Sequence, residues 1–154
     1  MTTIITTKDG FYSDTRATRG NLISDDDCKK TFKYKKCAVA ITGMFNNLSV
    51  IAKKIIDGEE FDNFENVSGD LFIRKSGCKL IECHYFDEGK YERYYVSEEN
   101  CYGSGALLAY AALDMGATPE EAIKAAAKRD NCTNDKVIKV LFEDLDKEDL
   151  WKTN

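Results

Sequence analysis

The sequence predicts an α+β fold, mostly antiparallel sheets with helices packed outside them. Three observations carry that prediction. Element patterns run as strands, one helix, strands, two helices and a strand, not as the alternation of a parallel doubly wound sheet. Successive strand-like runs are joined by short polar turns such as "KDG", "KSG" and "DEGK". The chain has 154 residues, 43% hydrophobic and 32% charged, an ordinary globular mix for one core. Residues 1–154 are therefore expected to form a single domain, with an acidic, frayed tail over 143–154.

"TTIITT" (2–7) is β-branched throughout and stops at "KDG", which predicts a strand and a turn. A short return through Phe11–Ser13 leads into "DTRATRG" (14–20) and the polar "NLISDDD". "KTFKYKKCAVAITG" (30–43) reads as two strands, the second apolar enough to be buried on both faces. The first helix is capped by Asn46 or Asn47, buries Leu48, Ile51, Ala52, Ile55 and Ile56 on one face, and ends at Gly58. "EEFDNFENVSG" is polar and ambiguous, and strands follow at 70–74, 79–86 and 91–96.

After "CYGSG", a helix over 106–115 ends at Gly116. Thr118, Pro119 and Glu121 form a capping box with proline at the first helical position, opening a third helix that runs to about Arg129. "DKVIKVLF" (135–142) is the last strand. No internal repeat or linker is visible.

Composition excludes several classes of function. The net charge is −5 and the only basic cluster is "FKYKK" (32–36), so nucleic acid is not expected as a partner. No apolar run approaches the roughly 20 residues of a membrane span, and no signal-peptide pattern opens the chain. The expectation is a soluble, cytoplasmic protein. Six cysteines form no CxxC pair and the one histidine is His84, so neither a metal nor another cofactor is expected. Cys83 and His84 are strand neighbours that face opposite ways, which rules out a catalytic Cys–His pair.

The chemistry lies at the start of the chain. A threonine hydroxyl is a weak nucleophile until a base takes its proton, and a free α-amine, with a pKa near 8, suits that task. An N-terminal threonine carries both groups. Thr2 becomes such a residue once Met1 is removed, and a small residue after Met favours removal. With Met1 retained, the free amine lies one residue away from where Thr2 needs it.

"TTIITTKDG", "DTRATRG", "DDCKK", "ITG", "YGSGALLAYAALDMG" and "KRDNCT" occur in that order over most of residues 2–133. In this ordered set the chain resembles proteasome β subunits and the bacterial HslV peptidase. The resemblance implies an N-terminal nucleophile hydrolase, a four-layer αββα sandwich with two antiparallel sheets between helical layers. It also implies the roles that follow. Thr2 is nucleophile and, through its amine, base. Lys30, sixteen residues after Asp14, is the lysine that keeps the amine neutral and eases deprotonation of Thr2. Asp14 holds Lys30 by a charge-assisted hydrogen bond, and Arg16 braces the loop. Gly43 supplies an oxyanion-hole N–H. Ser104, Asp130 and Thr133 support the amine, with Thr133 in the slot of the usual serine. Ala17, Cys28, Ile41 and Phe45 line an apolar substrate pocket.

The resemblance further implies a homo-oligomeric ring around the sites, a peptide or unfolded-protein substrate, and an ATP-dependent unfoldase as a further partner. Three features depart from the family pattern. Gly10 to Asp14 is two residues shorter, the long second helix is missing before "DLFIR", and Thr133 replaces a serine. A reduced first helical layer is therefore expected. Two other functions fit the same sequence: a catalytically silent, ring-forming or partner-binding protein, and a small-molecule amidohydrolase of the same fold.

Overall fold

The computed structural model describes residues 2–61 and 65–147. The elements are β1 (Thr3–Thr6), β2 (Gly10–Asp14), β3 (Ala17–Arg19), β4 (Leu22–Asp25), β5 (Thr31–Tyr34), β6 (Cys37–Gly43), α1 (Phe45–Asp57), β7 (Ser68–Lys75), β8 (Ile81–Asp87), β9 (Lys90–Val96), β10 (Asn100–Gly103), α2 (Ala106–Asp114), α3 (Pro119–Ala127) and β11 (Val137–Leu141). All pairings are antiparallel. One sheet has the order β10-β1-β2-β11, a second the order β5-β6-β7-β8-β9, and β3 and β4 pair with each other alone. The α+β class is as expected from sequence.

Two-sided burial explains why "TTIITT" lacks a polar–apolar alternation. Ile4 and Ile5 point to opposite faces of β1, yet both are buried. Ile4 joins Phe11 against Ala38, Ala40, Phe72, Ile81 and Cys83 of the five-stranded sheet. Ile5 joins Tyr12 and Cys101 against Ala109, Ala122 and Ile123 of α2 and α3. The same logic divides β6. Ala38 and Ala40 face the other sheet, while Cys37, Val39 and Ile41 pack on Leu48, Ile51 and Ala52 of α1. His84 and Cys83 also part company: Cys83 lies in the cluster between the sheets, and His84 bonds Glu82 and Tyr91 on the other side of its strand.

Several boundaries differ from expectation. The cap of α1 is Met44, which makes no side-chain capping bond, so neither Asn46 nor Asn47 serves. The helix starts there because Met44 N–H leaves β6 bonded to the carbonyl of Ser68, at 3.0 Å. Gly58 closes it in the left-handed conformation, as expected. The capping box of α3 forms, and the helix itself ends at Ala127. Two pieces of sheet lie where no strand was expected: the β3–β4 hairpin within "ATRGNLISD", and β10 within "NCYG". The tail is not frayed at its start. Residues 142–144 form a 3-10 turn and Leu145 is buried against Ile4 and Phe11, while 148–154 lie outside the described residues. Between α1 and β7 no helix occurs among the described residues, and 62–64 lie outside them.

Phe72 and Phe11, both fully buried, are the largest side chains in the cluster between the two sheets. Phe72→Ala should lower stability by about 3–5 kcal/mol in urea denaturation, with little change in the slope of the transition.

Candidate active site

The antiparallel pairing of β1 with β2 puts the chain start beside the end of β2. Ile4 lies opposite Ser13, so the same register carries Thr3 to Asp14. The fifth strand reaches the same place from the second sheet: Lys30 immediately precedes β5, its carbonyl accepting the Ile41 N–H at 2.9 Å. A buried hydroxyl pair, Thr31 Oγ1 to Ser13 Oγ at 2.9 Å, ties the sheets together one residue farther in.

Thr2, Asp14 and Lys30 converge in this corner. Thr2 and Lys30 are almost wholly buried and Asp14 is completely so. The Thr2 hydroxyl donates to Asp14 Oδ1 and accepts from Lys30 Nζ. Lys30 Nζ also donates to Asp14 Oδ1 at 2.8 Å and to the Arg16 carbonyl at 2.6 Å. Three partners use all three donors of an ammonium group. Asp14 is equally well satisfied: Thr3 N–H reaches Oδ1 at 3.1 Å, and the N–H groups of Arg16 and Asn134 reach Oδ2 at 3.0 and 3.2 Å. A buried carboxylate needs such a ring of donors to offset its lost hydration. For Lys30, burial outweighs the attraction and hydrogen bond of Asp14, which leaves its pKa below the ordinary lysine value.

A second polar group lies alongside. Asp130 Oδ2 accepts from Ser104 Oγ at 2.7 Å and from Thr133 Oγ1 at 2.6 Å, and its Oδ1 accepts from Cys132 N–H at 3.1 Å. Burial raises the Asp130 pKa, but these hydrogen bonds together outweigh it and hold the group below the usual carboxylate range. Thr133 Oγ1 is 2.7 Å from Thr3 Oγ1, so this group touches β1 one residue beyond Thr2. Arg16 bonds Asp26 through Nε at 2.8 Å and the Asn131 carbonyl at 3.1 Å, a bracing position.

Gly43 has φ 106°, and a Cβ there would meet Ser68 O and Gly69 Cα at 2.6 Å. The position, where β6 hands over to α1, admits only glycine. Gly43 lines a groove of about 660 Å³ together with Ala17, Cys28 and Phe45, the β3–β4 hairpin and Met44. Ile41 does not. It is fully buried under α1, packed with Leu48, Ile51 and Ala52.

Sequence reasoning missed Thr3, Gly103 and Asn134. Gly103 lies opposite Thr3 at φ 95°, where a Cβ would fall 1.7 Å from the Thr2 carbonyl oxygen. Its signal was present in "YGSG", where only the serine drew notice.

No protein-family model matches the sequence, and comparison with curated proteins finds no match. Among solved structures the chain is similar to the Thiobacillus denitrificans protein BPH in complex with epoxomicin, at 17% identity over 92% of this chain and 97% of that one, with a TM-score of 0.65. Another structure of that protein gives 18% identity, the same coverage and a TM-score of 0.64. Eukaryotic HslV from Trypanosoma brucei gives 16% identity over 90% of this chain and 98% of that one, with a TM-score of 0.66. At this identity the likeness is one of fold, and the fold is HslV-like.

Removing one member of the buried pair leaves the other charge without its partner. Asp14→Ala should cost about 3–5 kcal/mol of stability. Adding Lys30→Met should restore much of the loss, read as a coupling energy in a double-mutant cycle by urea denaturation.

Proposed function

We propose that the chain is a threonine-type peptidase of the proteasome β and HslV class, with Thr2 as its N-terminal nucleophile after removal of Met1. One observation supports this above others: the Thr2 hydroxyl lies between the Lys30 ammonium and the Asp14 carboxylate, both buried. An ordinary surface threonine has no use for such a pair. The HslV-like fold supports the same reading.

In the proposed reaction Thr2 Oγ adds to a peptide carbonyl while its proton passes to the Thr2 α-amine. The adjacent Lys30 charge disfavours protonation of that amine at rest and eases loss of the hydroxyl proton. The amine then delivers the proton to the departing peptide nitrogen, the C–N bond breaks and an ester links the acyl group to Thr2. Water, deprotonated by the same amine, attacks the ester and releases the acid. Gly43 N–H is the proposed oxyanion donor. Ile41 N–H points toward Lys30 and Met44 N–H toward Ser68, so alternation along β6 puts Gly43 on the Lys30 side. Ser104, Asp130 and Thr133 hold the amine's surroundings, and the groove lined by Ala17, Cys28 and Phe45 receives an apolar side chain.

The three apolar clusters support a four-layer αββα order. A homo-oligomeric ring enclosing the sites in the cytoplasm, fed by an ATP-dependent unfoldase, completes the proposal. The silent alternative draws on the lack of a helix between α1 and β7 among the described residues. Retention of Met1 would support it.

Intact-mass measurement of natively expressed protein should show loss of Met1; uniform retention would favour the silent shell. A peptide epoxyketone should label Thr2, and Thr2→Ala should abolish labelling. Labelling without turnover of any peptide substrate would favour the small-molecule amidohydrolase. Light scattering should give a mass several times 17.4 kDa.

The burial effect on Lys30 sets the sign of the pH dependence. Its ammonium is lost at lower pH than in an ordinary lysine, so the labelling rate should fall on the alkaline side before pH 10.5 is reached. A rate still rising through pH 10.5 would remove Lys30 from the proposed role.

A further inference from the structure

We propose that Asn134 is a positioning residue for the Thr2–Asp14–Lys30 site, clamping Thr15 so that the Arg16 carbonyl takes the third hydrogen of the Lys30 ammonium. The inference deepens the peptidase reading and rests on it for its catalytic meaning.

Asn134 is buried and grips one residue from both sides. Its Oδ1 accepts the Thr15 N–H at 3.0 Å, and its Nδ2 donates to Thr15 Oγ1 at 3.0 Å. The Thr15 hydroxyl donates in turn to the Asp26 carbonyl at 2.7 Å. Backbone rotation at Thr15 would break these bonds together. The Thr15 carbonyl accepts the Cys28 N–H at 2.9 Å, and the carbonyl after it, that of Arg16, is the one Lys30 Nζ reaches at 2.6 Å.

The backbone N–H of Asn134 meanwhile donates to Asp14 Oδ2 at 3.2 Å. One residue thus touches the Asp14 carboxylate through its main chain and, through its side chain, Thr15, the residue before the lysine's carbonyl acceptor. It also follows Thr133 directly, which couples the Asp130 group to the Asp14 group through a single peptide link. Asn134 touches neither Thr2 nor Lys30 in any described hydrogen bond, so it acts through Thr15 and Asp14.

The charged and titratable groups around the junction are Asp14, Lys30, the Arg16–Asp26 pair, Asp130, Asp135, Lys136 and Cys28, joined by the Thr2 α-amine when Thr2 is the first residue. Among them, only Lys30 donates to the Arg16 carbonyl. Freeing that carbonyl takes a hydrogen-bond acceptor from a buried ammonium, which favours the neutral amine. The Lys30 pKa should therefore drop further when the clamp is lost.

The test uses the full chain with Thr2 as its first residue and a peptide epoxyketone as the probe. Asn134→Ala should slow labelling of Thr2 about tenfold and move the alkaline limb down by about one pH unit, the size expected for one charge-assisted hydrogen bond. Asn134→Asp keeps an acceptor for Thr15 N–H and should recover part of the rate. Thr15→Val removes the other end of the clamp and should move the limb the same way.

Titration of Lys30 followed by NMR on isotope-labelled lysine gives a readout independent of catalysis. A lowered Lys30 pKa in Asn134→Ala, with wild-type Thr2 unlabelled, would sink the peptidase reading and keep the clamp. An unmoved Lys30 titration in Asn134→Ala and Thr15→Val, whatever the labelling, would overturn the clamp. Should Asn134→Ala not fold, Thr15→Val carries the comparison, with the Lys30 titration as its readout.

Discussion

The buried pair of Asp14 and Lys30 is the constraint to which the surrounding structure answers. Two opposite charges 2.8 Å apart with almost no solvent are favourable only when their remaining donors and acceptors are met. Here the pair and its partners come together from four separate stretches: the chain start at Thr2 and Thr3, the end of β2 with the bend at Arg16, the approach to β5 that carries Lys30, and the turn at Asn134. These stretches come from both large sheets and from the connection after α3. The pair thus works as a point of registration as well as a source of field. If either sheet slipped by a residue, the charges would lose partners while remaining buried.

The sheets reinforce that point because neither face of β1 is free. A slip would exchange Ile4 for Ile5, and both positions are already filled by differently shaped surroundings. The thin middle of the molecule, built on Ala38 and Ala40 against Ile4 and Phe11, lets the sheets approach closely. That approach brings Lys30, on one sheet's margin, within reach of Asp14 on the other.

Much of this was legible in the chain. β-branched runs gave β1 and β6, the spacing of Leu48, Ile51 and Ala52 gave α1, and Thr118 with Glu121 gave the start of α3. What escaped has a common physical character. β10 is four residues, Asn100–Gly103, with little β propensity of its own, and pairing to β1 imposes its conformation. The β3–β4 hairpin is exposed, so no burial pattern marks it. Ile41 was misplaced because residue type says apolar without saying which face. For the site, ordered motifs brought Asp14, Lys30, Gly43, Ser104, Asp130 and Thr133 into view. Asn134 and Gly103 stayed hidden because their roles run through the backbone, by an N–H to a carboxylate and by the absence of a Cβ.

The position of β1 between β10 and β2 bears on the removal of Met1 that the proposed peptidase would need. Its neighbour β2 is made within a few residues, but β10 lies almost a hundred residues downstream, so one edge of β1 stays open through most of synthesis. Once β10 closes over it, Thr2 is sealed and its carbonyl lies hard against Gly103. An aminopeptidase needs a loose, extended end to grip. On the peptidase reading proposed above, removal of Met1 would therefore be expected to precede the closing of β10 over β1, while the chain is still being made.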